Sequence, residues 1–194
     1  MTLSTAWFPP VEFFALLAKN TTVYLEACES YRKQTWRNRC RILTANGPMD
    51  LRVPVMHDGA RLITEIRIDW STPWLRQAEY AIDSAYYSSP FFEYYRDELF
   101  SMLGPKPEML WEMNLSIIDF FCRKIGIAPQ IVPTVDYVRE PEGDWRDALS
   151  PKRASPLNVT PYWQVFKDRF GFVPGLSVMD LLFNEGPESL VYLK

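Results

Sequence analysis

Tyr31–Val55 reads YRKQTWRNRCRILTANGPMDLRVPV. Arg32, Lys33, Arg37, Arg39, Arg41 and Arg52 make it the densest cationic cluster in the chain, with Trp36 and Asn38 set among the charges. Cys40 and Ile42 alternate with Arg39 and Arg41, and Leu51, Val53 and Val55 alternate again after Asn46-Gly47. That is the pattern of a β-hairpin, because Asn and Gly both tolerate the positive φ of a tight turn. Pro48 fixes φ and lacks an N–H, so a longer loop is the alternative. The expected product is a two-stranded ribbon carrying Arg39, Arg41 and Arg52, with Trp36 and Asn38 at its mouth. It locates an anion-facing surface without saying what chemistry occurs there.

The whole chain has 194 residues, enough for one domain with a real core. Its 47% hydrophobic and 15% aromatic content excludes general disorder. A net charge of −3 makes the cationic cluster a local feature and gives no footing for bulk nucleic-acid binding. Cys28, Cys40 and Cys122 form no CxxC pair and no zinc pattern, and their odd number argues against a disulfide framework. A reducing compartment fits, and the expectation is of no secretory leader and no membrane span, since neither a leader pattern nor a membrane-length apolar run is read. The expectation is a cytoplasmic protein. No residue pattern names a cofactor, a metal or an oligomeric state.

Upstream of the ribbon, Pro10 opens a short helix through Phe13, Phe14, Leu16 and Leu17 that stops at Asn20, and Thr21–Cys28 reads as a strand. Downstream, Arg61–Trp70 reads as another strand, with Ile66 and Ile68 on one side. Three helices follow. The first opens at Thr72-Pro73 and carries Trp74, Leu75, Ala78 and Ile82 inward. The second begins near Ser88-Ser89-Pro90 with Phe91, Tyr94, Tyr95 and Leu99 inward. The third spans Glu108–Ile125 and ends at Gly126. Gln130–Val138 reads as a strand that Pro133 confines to a sheet edge. An irregular polar loop covers about 139–160, rich in breakers and open to motion. Tyr162–Phe170 is a short aromatic segment, helix or strand. Ser177–Phe183 reads as a helix with Ser177 as N-cap and Asp180 in the capping-box position. Strands first and helices after give an α+β, or mixed α/β, fold in a single domain over 1–194.

Four blocks resemble the WbqC-like proteins of bacteria, which are associated with surface-polysaccharide (O-antigen type) gene clusters. They are Trp7-Phe8-Pro9 with Phe13-Phe14; Trp36–Ile42 followed by the NG turn and Val53-Pro54-Val55; Ala85–Glu93 (AYYSSPFFE); and Leu176–Pro187 (LSVMDLLFNEGP), the most specific. The resemblance implies a transfer reaction on an activated sugar or amino-acid group. Two departures stand against it. Where the family carries a Gln-Pro pair, often preceded by His, this chain reads Leu3-Ser4-Thr5. A middle segment of Tyr-Leu-Ser-Gly or Tyr-Ile-Asn type is shortened away between Gln130 and Tyr162.

The candidate site residues follow from chemistry. Arg39 and Arg41, with Asn38 and Lys33, can hold phosphate or carboxylate, since the guanidinium supplies a planar fork of donors. Trp36 can stack on a base or sugar ring; the competing reading is a solvated ribbon face with Trp36 in the core. His57, the single histidine, is a candidate general base with Asp58 or Glu65 beside it, or else an exposed loop residue. Tyr86 and Tyr87 line a pocket or belong to the core at a helix junction. Asn184 and Glu185 face the same cleft, with Glu185 pairing Arg39 or binding an amine, or they simply stop the last helix. No phosphate-binding glycine loop, HExxH or GxSxG occurs. Two functional readings result. One is an enzyme that transfers an acyl or aminoacyl group to a nucleotide-linked sugar in surface-glycan precursor assembly. The other is a non-catalytic protein that binds a glycan precursor or another protein, which the departures favour.

Overall fold

The computed structural model describes residues 1–194. Strand β1 (Thr2–Ser4) leads into helix α1 (Val11–Lys19) and back into strand β2 (Thr22–Glu26), which runs parallel to β1. Parallel strands need a crossover of about a dozen residues, and α1 supplies it. From Val11 to Leu17 every residue of α1 is buried, as expected of a helix packed on all sides. Pro10 is its N-cap rather than its first residue. Phe8 sits at φ 43, a left-handed conformation unusual for a bulky residue. It is held there by burial against Trp7 and Phe121.

The expected ribbon forms. Strand β3 (Arg39–Thr44) pairs antiparallel with β4 (Gly47–Arg52), placing Arg39 opposite Arg52 and Arg41 opposite Asp50. The turn residues are Ala45 and Asn46, one position earlier than the Asn46-Gly47 reading. Only Gly47 takes positive φ, at 104°, so Pro48 falls safely within the strand opposite Leu43. Cys40 and Ile42 point into the core, where burial pushes the Cys40 thiol well above its ordinary range.

Arg61–Trp70 is not a strand. Ile66 and Ile68 are buried as the alternation suggests, but a 3₁₀ turn over Ile63–Glu65 breaks the extension and buries Ile63 as well. Only single bridges remain, Ser30 with Leu62, Val55 with Ile68 and Arg67 with Met109. Helices α2 (Trp74–Tyr86), α3 (Phe92–Leu103) and α4 (Leu110–Ile125) follow. In α3 the inward face is Phe92, Leu99 and Leu103, while Tyr94 is 79% exposed. The expected register was displaced because Ser89 and Pro90 form a turn before the helix begins. Gly126 closes α4 at φ 80. Strand β5 (Gln130–Pro133) joins β2, giving the order β1-β2-β5 with β5 at an edge, as Pro133 requires.

The remainder is mostly irregular. Tyr162–Phe170 resolves into coil and one turn of helix, α5 (Lys167–Phe170). Helix α6 (Val178–Glu185) starts from Ser177, whose Oγ accepts the Met179 N–H at 3.3 Å. Asp180 does not close a capping box; it turns inward. A short α7 (Ser189–Leu193) ends the chain. The whole is mixed α/β, strands and hairpin first and helices after. One hydrophobic cluster of 41 buried residues draws on the N-terminal strands, the ribbon and the helices alike. No helix is long and apolar enough to cross a membrane.

Candidate functional site

Trp36 lies in a 3₁₀ turn (Trp36–Asn38) that delivers the chain into β3. Five residues after Trp36, on the ribbon, the Arg41 guanidinium sits 5.6 Å from the Trp36 ring centroid. Arg41 is oriented by Asp50, its partner across the ribbon. Nε donates to Oδ1 at 2.7 Å and Nη2 to Oδ2 at 3.2 Å, while Nη2 also reaches the Pro151 carbonyl at 3.4 Å. These two residues form one wall of a cleft of about 650 Å³. The opposite wall is the loop from Leu149 to Val159, which brings Lys152 and Arg153 to it, and Phe172, Pro174 and Gly175 complete the rim. Lys152 forms no ion pair, and the Arg153 guanidinium donates to the Asp147 carbonyl.

Glu12 lies within the cleft lining as well, and is 1% exposed. Neither carboxylate oxygen makes a hydrogen bond of good geometry. Burial pushes its pKa above the usual carboxylate range, against the pull of the backbone amides of Glu12 and Gly175. The sequence reading passed over Glu12 because it stands in an apolar helix, VEFFALLAK. An acid surrounded by large apolar residues at a helix start was the available signal. Lys152 and Arg153 were hidden within a loop read only as polar.

The loop is pinned rather than free. Arg146, buried within it, donates to Glu26 at 2.8 Å and to Asp144 at 2.6 Å, tying the segment to β2. A second buried pair, Arg37 with Glu29 at 2.5 Å, sits behind Trp36 and also holds Ser4 Oγ at 2.6 Å. Arg37 therefore belongs to the interior and not to the solvent-facing cluster. Leu3, Ser4 and Thr5 line a separate small pocket together with Trp36 and Arg37.

The other candidates lie elsewhere. Asn38 is structural in its contacts: Nδ2 donates to the Val53 carbonyl at 2.9 Å. Arg39 faces Arg52 without an ion-pair partner, outside the cleft lining. Lys33 and His57 line a separate cleft of about 450 Å³ with Tyr31 and Arg61. Asp58 does not serve His57, because it takes the Arg67 guanidinium at 2.6 Å. Tyr87 is 76% exposed, whereas Tyr86 is buried against Phe183. The Tyr86 hydroxyl lies near Asp180 without a hydrogen bond of good geometry. Asp180 Oδ2 accepts from Tyr162 at 2.7 Å and Gln164 at 3.0 Å, and burial raises its pKa to about 6. Asn184 donates back to the Asp180 carbonyl at 2.7 Å, and Glu185 accepts the Trp163 N–H at 2.8 Å instead of pairing with Arg39. Among all the candidates, only Trp36 and Arg41 meet in the larger cleft.

The fold is mixed α/β, with a cleft walled by an arginine-bearing ribbon and a pinned loop. Residues 5–155 match the WbqC-like protein family, and the chain belongs to it. It is also 26% identical over 196 residues to the Mycobacterium tuberculosis protein described as uncharacterized protein Rv1507c, with 84% of each chain covered. No solved structure matches.

Proposed function

We propose that the chain binds an anionic, ring-bearing small molecule of the nucleotide-linked sugar class in the Trp36–Arg41 cleft. In the reading that the family resemblance favours, it acts there as an enzyme of surface-glycan precursor assembly, transferring an acyl or aminoacyl group. The observation that carries the proposal is the meeting of Arg41, Lys152 and Arg153 around one concave cleft beside Trp36. Arg41 is already oriented by Asp50, so little side-chain freedom remains to be lost when an anion binds. A cleft of this size suits a ligand of nucleotide dimensions. His57 stands in the other cleft and has no part in this binding step.

A thermal-shift screen against nucleotide sugars, nucleotides and inorganic phosphate tests the proposal. A ligand at a hundredfold excess over its Kd stabilises the native state by about 2.7 kcal/mol. The expected result is a shift with nucleotide sugars that Arg41→Ala removes and that His57→Gln leaves intact. Absence of a shift with every class would end the small-molecule reading. One observation favours the second, non-catalytic reading. Tyr80, Tyr87 and Tyr94 are 76%, 76% and 79% exposed on the α2–α3 side. Capture of a protein partner that is lost on replacing these tyrosines by serine, and kept in Arg41→Ala, would support that reading instead.

A further inference from the structure

We propose that Glu12 is the cation-accepting group of the cleft, so that the ligand taken there carries a free amino group together with its negative charge. This rests on the binding reading above and names the chemistry of the ligand more narrowly.

The cleft is two-signed. Arg41, Lys152 and Arg153 line it with positive charge, and Glu12 places a single carboxyl among the lining residues. A buried carboxyl with no hydrogen-bond partner is costly to keep, and apolar neighbours would fill that position at lower cost. The fold satisfies it poorly: the backbone amides of Glu12 and Gly175 approach it, but neither oxygen accepts a hydrogen bond of good geometry, and no cationic side chain pairs with Glu12. The carboxylate next across the ribbon, Asp50, is already engaged by Arg41. A metal is a poor fit, because no group of three His, Cys, Asp or Glu side chains converges here or elsewhere in the chain. A neutral hydroxyl offers such a carboxylate one ordinary hydrogen bond. An ammonium brings opposite charge and several donors, and repays desolvation far better. An anion alone would meet the cations and be repelled by an ionised Glu12. A ligand bearing both signs satisfies both sides, and a nucleotide-linked sugar with an unacylated amine has that chemistry.

Isothermal titration calorimetry with UDP-glucosamine, UDP-glucose and UDP-N-acetylglucosamine tests it on the full chain. The wild type is expected to prefer UDP-glucosamine at least tenfold over the other two. Glu12→Gln, which keeps the shape and removes the charge, should bring the three Kd values within about threefold of one another. The thermal midpoint of Glu12→Gln should equal or exceed that of the wild type, since a buried acid without a partner is relieved. A fall in midpoint with the preference unchanged would make Glu12 structural and overturn the proposal. Equal binding of all three by the wild type would overturn it while leaving the binding reading in place. Binding of none would remove both.

Discussion

Glu12 and Asp180 are both acids buried without a cation, and they differ in what surrounds them. Glu12 has no donor of good geometry and faces a cleft, whereas Asp180 is wrapped by Tyr162 and Gln164 inside the core. That difference is why the proposal gives Glu12 a part in binding, while Asp180 bears on the stability of the fold. The folded protein holds the Asp180 proton up to about pH 6, while an unfolded aspartate releases it near pH 4. Between those values the native state binds more protons than the unfolded one. The stabilisation from this group is therefore complete below about pH 4 and is lost as pH rises through 6. A shift of about two units corresponds to roughly 3 kcal/mol. Urea unfolding of the wild type and Asp180→Asn at pH values from 4 to 7 should show the difference between them changing by about 2–3 kcal/mol. Parallel curves would mean that Asp180 titrates normally. At this scale the sequence was legible where chemistry and spacing coincide, as at Trp36 and Arg41. It was not legible at Arg39, whose alternation matches that of Arg41 but whose cross-strand neighbour is Arg52 rather than Asp50. Which of two equivalent arginines faces a cleft depends on a loop more than a hundred residues away.

The elements follow the same division. Helical periodicity and the Gly126 stop placed α4 well, because local contacts determine both. The three-residue β1 left no readable trace, since its pairing depends on α1 returning the chain alongside it. Arg61–Trp70 carried an alternation of burial only across Ile66–Ile68, without a strand partner to extend it. The C-terminal element supplies a sharp test. Gly186 closes α6 at φ 53, and a Cβ built there would lie 2.5 Å from the Phe91 ring. The backbone conformation disfavours any side chain, and the ring is held by the chain turning into α3, so neither can yield cheaply. Gly186→Ala should cost about 2–4 kcal/mol in unfolding free energy; a loss under about 0.5 kcal/mol would show that Phe91 moves freely. The loop gives a second test. Arg146→Ala leaves Glu26 buried and unpaired, which costs about 3–5 kcal/mol. It should also release the wall bearing Lys152 and Arg153. Limited proteolysis should then cut within 139–160 before the rest of the chain, and nucleotide-sugar binding should weaken with it. Unchanged cleavage would mean that the loop is held by other contacts.

Across the whole molecule, the four sequence blocks that resemble the family are brought into mutual contact rather than gathered at one surface. The Val11 N–H bonds to the Leu176 carbonyl and the Val178 N–H to the Pro9 carbonyl, joining the first block to the last. The Phe91 N–H bonds to the Phe183 carbonyl, and Phe92 and Tyr86 pack edge-on to Phe183, adding the third. The ribbon block enters through the Ser177 N–H, which bonds to the Arg41 carbonyl at 2.7 Å. The same Arg41 thus lines the cleft with its side chain and anchors α6 with its backbone. Motifs far apart in sequence are recognisable because they share one interior, and the cleft forms at its margin. Such a core should unfold as a unit despite the length of the irregular C-terminal part. Urea transitions followed by tryptophan fluorescence and by far-ultraviolet circular dichroism are expected to coincide. The tryptophans serve as separate reporters, with Trp7 and Trp74 in the core and Trp163 38% exposed near the C-terminal end. An earlier fluorescence transition, confined to a variant that keeps only Trp163, would divide the chain into two cooperative units. The wall of the cleft formed by 149–159 would then belong to the less stable one, and ligand binding would fail at urea concentrations that leave the helices intact.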